Sequence, residues 1–126
     1  MSHTPKRPVH LDLPKIKLPI GGIVSILHRA TGIYLFLSLP FLLYLFGQSL
    51  QNAAGYATAT DTMHTFWGVI LLFGLVWSLL HHLLAGIRYL LIDVDLGVEK
   101  AQARQSAWAV AVAGPVLAIL LTWGLL

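Results

Sequence analysis

The stretch Trp77-Ser78-Leu79-Leu80-His81-His82-Leu83-Leu84-Ala85-Gly86-Ile87-Arg88-Tyr89 sets two adjacent histidines inside an otherwise apolar run. A helix that is hydrophobic nearly all round belongs in lipid, where an ionisable side chain is expensive enough to carry a functional presumption. Successive residues on a helix lie about 100° apart, so the two imidazoles address different neighbours. One stripe runs His82, Gly86, Tyr89, and the other His81, Ala85, Arg88. Gly86 leaves no side chain one turn after His82, which lets a flat ligand or another backbone approach that face. The His82 stripe is therefore the candidate for holding something.

The composition around this stretch agrees with a lipid setting. The chain has 126 residues, 57% hydrophobic and 10% charged, with a mean hydropathy of +0.78. Soluble domains carry about 25% charged residues, so the balance points to a membrane protein. The absence of cysteine excludes disulfides, a self-contained iron–sulfur cluster and thiol catalysis. A chain this apolar has little surface left for phosphates, so its net charge of +3 argues for no nucleic acid and is read through where the charges fall. No flavin or dinucleotide fingerprint is present.

In chain order, Met1 to Ile20 holds His3, Lys6, Arg7, His10, Asp12, Lys15 and Lys17 among four prolines. That composition favours an extended arm, and it lacks the early apolar core of a signal peptide. Lys6, Arg7, Lys15 and Lys17 precede the first apolar run, which by the positive-inside rule puts the N-terminus in the cytoplasm. Roughly 22–48 reads as the first span, with Pro40 inside it. Residues 49–63 contain no lysine or arginine and read as an outer loop. Roughly 64–92 reads as a second span and roughly 106–126 as a third, with Gly114-Pro115 as a kink. The expected fold is all-α, a transmembrane three-helix bundle with a cytoplasmic N-terminus and a periplasmic C-terminus. An arm over 1–21 precedes one membrane domain over 22–126.

Imidazole in a dry bundle can ligate haem iron axially, and the same periodicity also suits a histidine bonded to a carbonyl across helices. His81 reads as structural. Counted from the inner surface, His28 lies about 9 Å deep and His82 about 15 Å deep, so a level pair across one iron is not expected. A second ligand from a partner subunit is. Ser25, His28 and Arg29 share one face near the surface at i, i+3, i+4 spacing. Arg29 there either snorkels to headgroups or, with Ser25, donates to a quinone carbonyl or a haem propionate. Arg88, near the same surface, could serve a second anionic group. Asp93 and Asp95 read as solvated acids at a helix end.

Three stretches together carry a specific likeness: Arg7-Pro8-Val9-His10-Leu11-Asp12-Leu13, Ser25-Ile26-Leu27-His28-Arg29-Ala30-Thr31-Gly32, and His82-Leu83-Leu84-Ala85-Gly86-Ile87-Arg88 with Asp93 close behind. The chain resembles the cytochrome b membrane-anchor subunit of bacterial succinate dehydrogenase, the large anchor of respiratory complex II, over nearly its whole length. The resemblance implies that a second small membrane-anchor subunit shares one haem b with this chain, each giving one axial histidine. The haem ligand would fall on His82. The ubiquinone pocket would include Ser25 and Arg29, and His28 and Arg29 would lie near the haem propionates, with Arg88 joining them at the haem by its own position near the same surface. A flavoprotein and an iron–sulfur subunit would dock on the cytoplasmic side of the bacterial inner membrane. Where some family members have a histidine, this chain has Tyr89.

The implied role is to pass electrons from succinate oxidation to quinone, with no catalysis by this chain alone. A fumarate reductase anchor and a cofactor-free structural membrane protein are the alternatives.

Overall fold

A computed structural model describes residues 16–126, which form four helices: α1 (Ile20–Ser49), α2 (Ala53–His64), α3 (Phe66–Asp93) and α4 (Lys100–Leu125). The expected extended arm falls largely on residues 1–15, outside the described residues. Three of the helices, α1, α3 and α4, are long and apolar enough to cross a membrane. Gly21 lies opposite Arg88 and Gly32 opposite His82, so α1 and α3 run antiparallel. Arg88 meets Ser106 while His81 meets Gly114, so α4 reverses direction again.

The connection between the first two spans, expected as a loop, is largely a helix. Residues 53–64 form α2, whose N-terminus is capped by the Asn52 side chain accepting from Gly55 N at 2.8 Å. Its alanines favour helix intrinsically, and its threonines return their hydroxyls to carbonyls one turn back, as Thr58 does to Ala54 and Thr62 to Thr58. No apolar stripe announces such a helix, which is why polarity alone reads as loop. Thr65 ends α2 and caps α3 by accepting from Gly68 N at 3.0 Å.

The proline positions behave as lipid helices allow: α1 runs unbroken through Pro40 and α4 through Pro115. The short turn after α3 places Asp95 (φ 61°) and Gly97 (φ 74°) in the left-handed region, which Asp and Gly tolerate. That turn brings α4 back alongside α3.

What holds the bundle together is a seam of small residues. Ala85 of α3 and Ala107 and Val110 of α4 pack with Val24 of α1 as the buried core, and Gly114 admits the backbone and Cβ of His81 at about 3.5 Å from where its own Cβ would sit. Small side chains let helices approach closely where no hydrophobic effect drives them together. The outward faces are apolar instead, with Phe36 70% and Leu37 68% exposed. That inversion is what lipid selects and water does not.

Candidate functional site

His82 sits where α3 crosses α1. Its Nδ1 lies 3.0 Å from the backbone carbonyl oxygen of His28. A carbonyl can only accept, so Nδ1 carries the proton and Nε2 is left with its lone pair. This is the tautomer a metal-binding imidazole needs, held by the kind of outer contact that orients such ligands.

Thr31 supports the arrangement. Its hydroxyl donates toward the carbonyls of Leu27 at 2.8 Å and His28 at 3.0 Å, and its Oγ1 lies 3.5 Å from His82 Nδ1 as a second acceptor. Gly32 supplies the room: a Cβ there would stand 2.9 Å from His82 Cε1. Neither role is visible in the sequence beyond Thr31 falling one turn after His28, because both depend on which residue of α3 crosses there.

The His28 ring lies flat on the His82 ring, with centroids 4.1 Å apart and planes 13° apart. Its edge meets Tyr89 at 5.4 Å, and its Nε2 stands 3.6 Å from where a Cβ on Gly86 would be. The His82, Gly86, Tyr89 stripe is thus the wall on which His28 rests. The two imidazoles are level, contrary to the depths counted along each helix. The reason is that α3 overshoots α1: Arg88 is already opposite Gly21, near the first turn of α1, and α3 continues to Asp93. Rings stacked side by side cannot approach one iron from opposite faces, so the pair does not supply both ligands of a bis-histidine haem.

Beside the stack opens an apolar groove of about 460 Å³, lined by His28, Arg29, Gly32, Ile33, Phe36 and His82. One turn away, Arg29 donates from Nη2 to Ser25 Oγ at 3.4 Å and from Nε to the Ser25 carbonyl at 3.5 Å. These long contacts hold the guanidinium loosely and leave donors free. Four of the candidate residues, Ser25, His28, Arg29 and His82, therefore cluster on one side of the α1–α3 pair.

Arg88 is directed elsewhere. It is 9% exposed and donates from Nε to Ser106 Oγ and from Nη2 to the Ala103 carbonyl, each at 3.0 Å. It lines a cavity on the α4 side and does not line the groove beside His82. His81 faces the α3–α4 seam, 1% exposed, with its Nε2 buried and without a hydrogen-bond partner among the described residues. Asp93 and Asp95 are exposed at the end of α3, and His64 closes α2 at the opposite end.

The residues present fit a haem. A fixed imidazole with a free lone pair lines an apolar groove that also has an arginine in its lining.

Comparison with known proteins agrees. Residues 3–122 match the family described as the succinate dehydrogenase/fumarate reductase transmembrane subunit. The chain is similar to the succinate dehydrogenase cytochrome b556 subunit of Paracoccus denitrificans, 33% identical over 114 residues that cover 90% of this chain and 88% of the relative. The cytochrome b556 subunit of Coxiella burnetii is 34% identical over 116 residues, covering 91% and 93%. The cytochrome b560 subunit of Reclinomonas americana is 33% identical over 98 residues, covering 74% and 68%. With three membrane-length helices and a family match across nearly its whole length, the chain is a multi-pass membrane protein belonging to the succinate dehydrogenase/fumarate reductase transmembrane subunit family.

Proposed function

We propose that this chain is the cytochrome b anchor of a succinate:ubiquinone oxidoreductase in a bacterial inner membrane, with its N-terminus cytoplasmic. The observation that carries the reading is the His82 Nδ1 contact to the His28 carbonyl at 3.0 Å, which presents Nε2 as a donor in a lipid-buried groove. His82 would hold the iron of haem b through Nε2, and a second small membrane-anchor subunit would close the groove and supply the other ligand. His28 braces the ligand by stacking, and Arg29 at the rim balances a propionate. When bound, haem b supplies a one-electron store beside the quinone path.

Ser25 and Arg29 bind ubiquinone. Arg29 has donors to spare beyond its long contacts with Ser25, and a guanidinium with a neighbouring hydroxyl suits a quinone carbonyl that gains negative charge on reduction. Their position about one and a half to two and a half turns into α1 keeps the site near water, from which two protons must come. An iron–sulfur subunit and a flavoprotein subunit dock over this end of the bundle and deliver the electrons from succinate.

The test is the reduced-minus-oxidised visible spectrum of the complex purified from membranes, together with identification of its subunits. A b-type band with both soluble subunits and a second small membrane subunit is expected. A colourless assembly that ignores quinone analogues would reduce the chain to a lipid-embedded scaffold.

A further inference from the structure

The end of the bundle where α1 and α4 begin holds a second cavity of about 500 Å³, lined in part by Gly21, Arg88, Lys100, Arg104 and Trp108, with no acidic residue in its lining among the described residues. Its described lining carries three cations, while the acids at this end, Asp93, Asp95 and Glu99, are exposed and outside that lining. Arg88 is more than nine-tenths buried, yet the partners it donates to, Ser106 Oγ and the Ala103 carbonyl, are both neutral. A buried cation is retained at this cost only when an anion answers it.

The helix termini push the same way. Neither α1 nor α4 has a side-chain hydrogen bond at its N-cap or an acidic residue in its first turn, so both present free N–H groups and the positive end of the dipole. Glu99 stands at the N-cap of α4, Lys100 opens the helix and Arg104 follows in the next turn, so two cations face one exposed acid at this start. Two uncapped helix starts and three cations converging on one hollow describe a receptor for an anion.

The surroundings say which anion. The cavity lies where the membrane-length helices α1 and α4 begin and beside the last turns of α3. Below it α4 exposes Trp108, Val112 and Val116 at one-turn intervals, an apolar track leading from the cations into the bilayer. A free phosphate or a carboxylate from a soluble protein has no use for that track.

We propose that this cavity holds the phosphate of an anionic phospholipid, clasped by Arg88, Lys100 and Arg104, with an acyl chain lying along Trp108, Val112 and Val116. Arg88 orients through Ser106 and Ala103 and supplies the buried charge, while the two α4 cations close over the headgroup from the rim. The lipid in turn ties the start of α4 to α1.

The complex is purified from membranes, exchanged into nanodiscs of phosphatidylcholine with a minor fraction of phosphatidylglycerol, and the retained lipid counted by native mass spectrometry. The unaltered complex is expected to keep phosphatidylglycerol selectively. At about fivefold per surface cation, K100Q/R104Q should retain it about thirtyfold more weakly and R104Q alone about fivefold, while K100R/R104K restores retention. The haem band and subunit content should not change in any of these variants, which separates this site from the groove at His82. Equal retention by K100Q/R104Q would overturn the proposal. So would displacement of the lipid by glycerol 3-phosphate at equal concentration, or release of the soluble subunits by K100Q/R104Q with lipid retention unchanged.

Discussion

His28 holds His82 in two ways at once: its carbonyl accepts the His82 Nδ1–H at 3.0 Å, and its ring covers the His82 ring at a centroid distance of 4.1 Å. The first contact depends on the backbone of α1 and survives any substitution that leaves the helix intact. The second depends on the side chain. Substituting His28 should therefore loosen the ligand without changing its tautomer.

The adjacent histidines separate cleanly by experiment. His82→Ala should abolish or strongly weaken the b-type band of the purified complex. His81→Ala should leave the band in place, but the cavity it opens in the α3–α4 seam should cost on the order of 2–4 kcal/mol, seen as a lower midpoint in thermal unfolding. A lost band in His81→Ala with a normal band in His82→Ala would reassign the ligand.

Gly32→Ala is a sharper probe of ligand placement. Alanine improves helix propensity by about 1 kcal/mol, so α1 should form at least as well. The new methyl would stand 2.9 Å from His82 Cε1, and the ring must tilt away. We expect altered low-spin electron paramagnetic resonance g-values and reduced haem content in a complex that still assembles. Unchanged g-values would mean the ring does not pack here.

Thr31 should tune the same ligand. Thr31→Val removes the second acceptor 3.5 Å from His82 Nδ1, lowering the electron donation of the imidazole, and Thr31→Ser keeps it. The haem midpoint potential is expected to rise in Thr31→Val and to return towards normal in Thr31→Ser. Identical potentials in both would confine Thr31 to a packing role.

Arg29→Ala should lower kcat/KM for ubiquinone about ten- to hundredfold, the loss of one charge-assisted hydrogen bond of about 1.5–3 kcal/mol. Succinate-dependent reduction of a soluble dye should stay near normal, because the flavoprotein does not need the quinone site. A parallel fall in both activities would make Arg29 an assembly residue.

Much of this architecture is legible without coordinates, because it follows from short-range chemistry. Apolar runs of about 20 residues must be membrane helices, and adjacent residues on a helix must point apart, so His81 and His82 had to part company. The resemblance carried by Ser25, His28, Arg29 and His82 likewise resides in the chain itself. α2 escapes that reading since alanine propensity and an Asn52 cap, not an apolar stripe, make it a helix. Other features belong to tertiary structure alone: the level at which α3 slides past α1, hence the stacking of His28 on His82, the tautomer of the ligand, the need for glycine at position 32, and the turning of Arg88 towards α4. Each depends on the relative height and rotation of packed helices, which arise from contacts between residues distant in sequence and leave no periodic trace in any one segment.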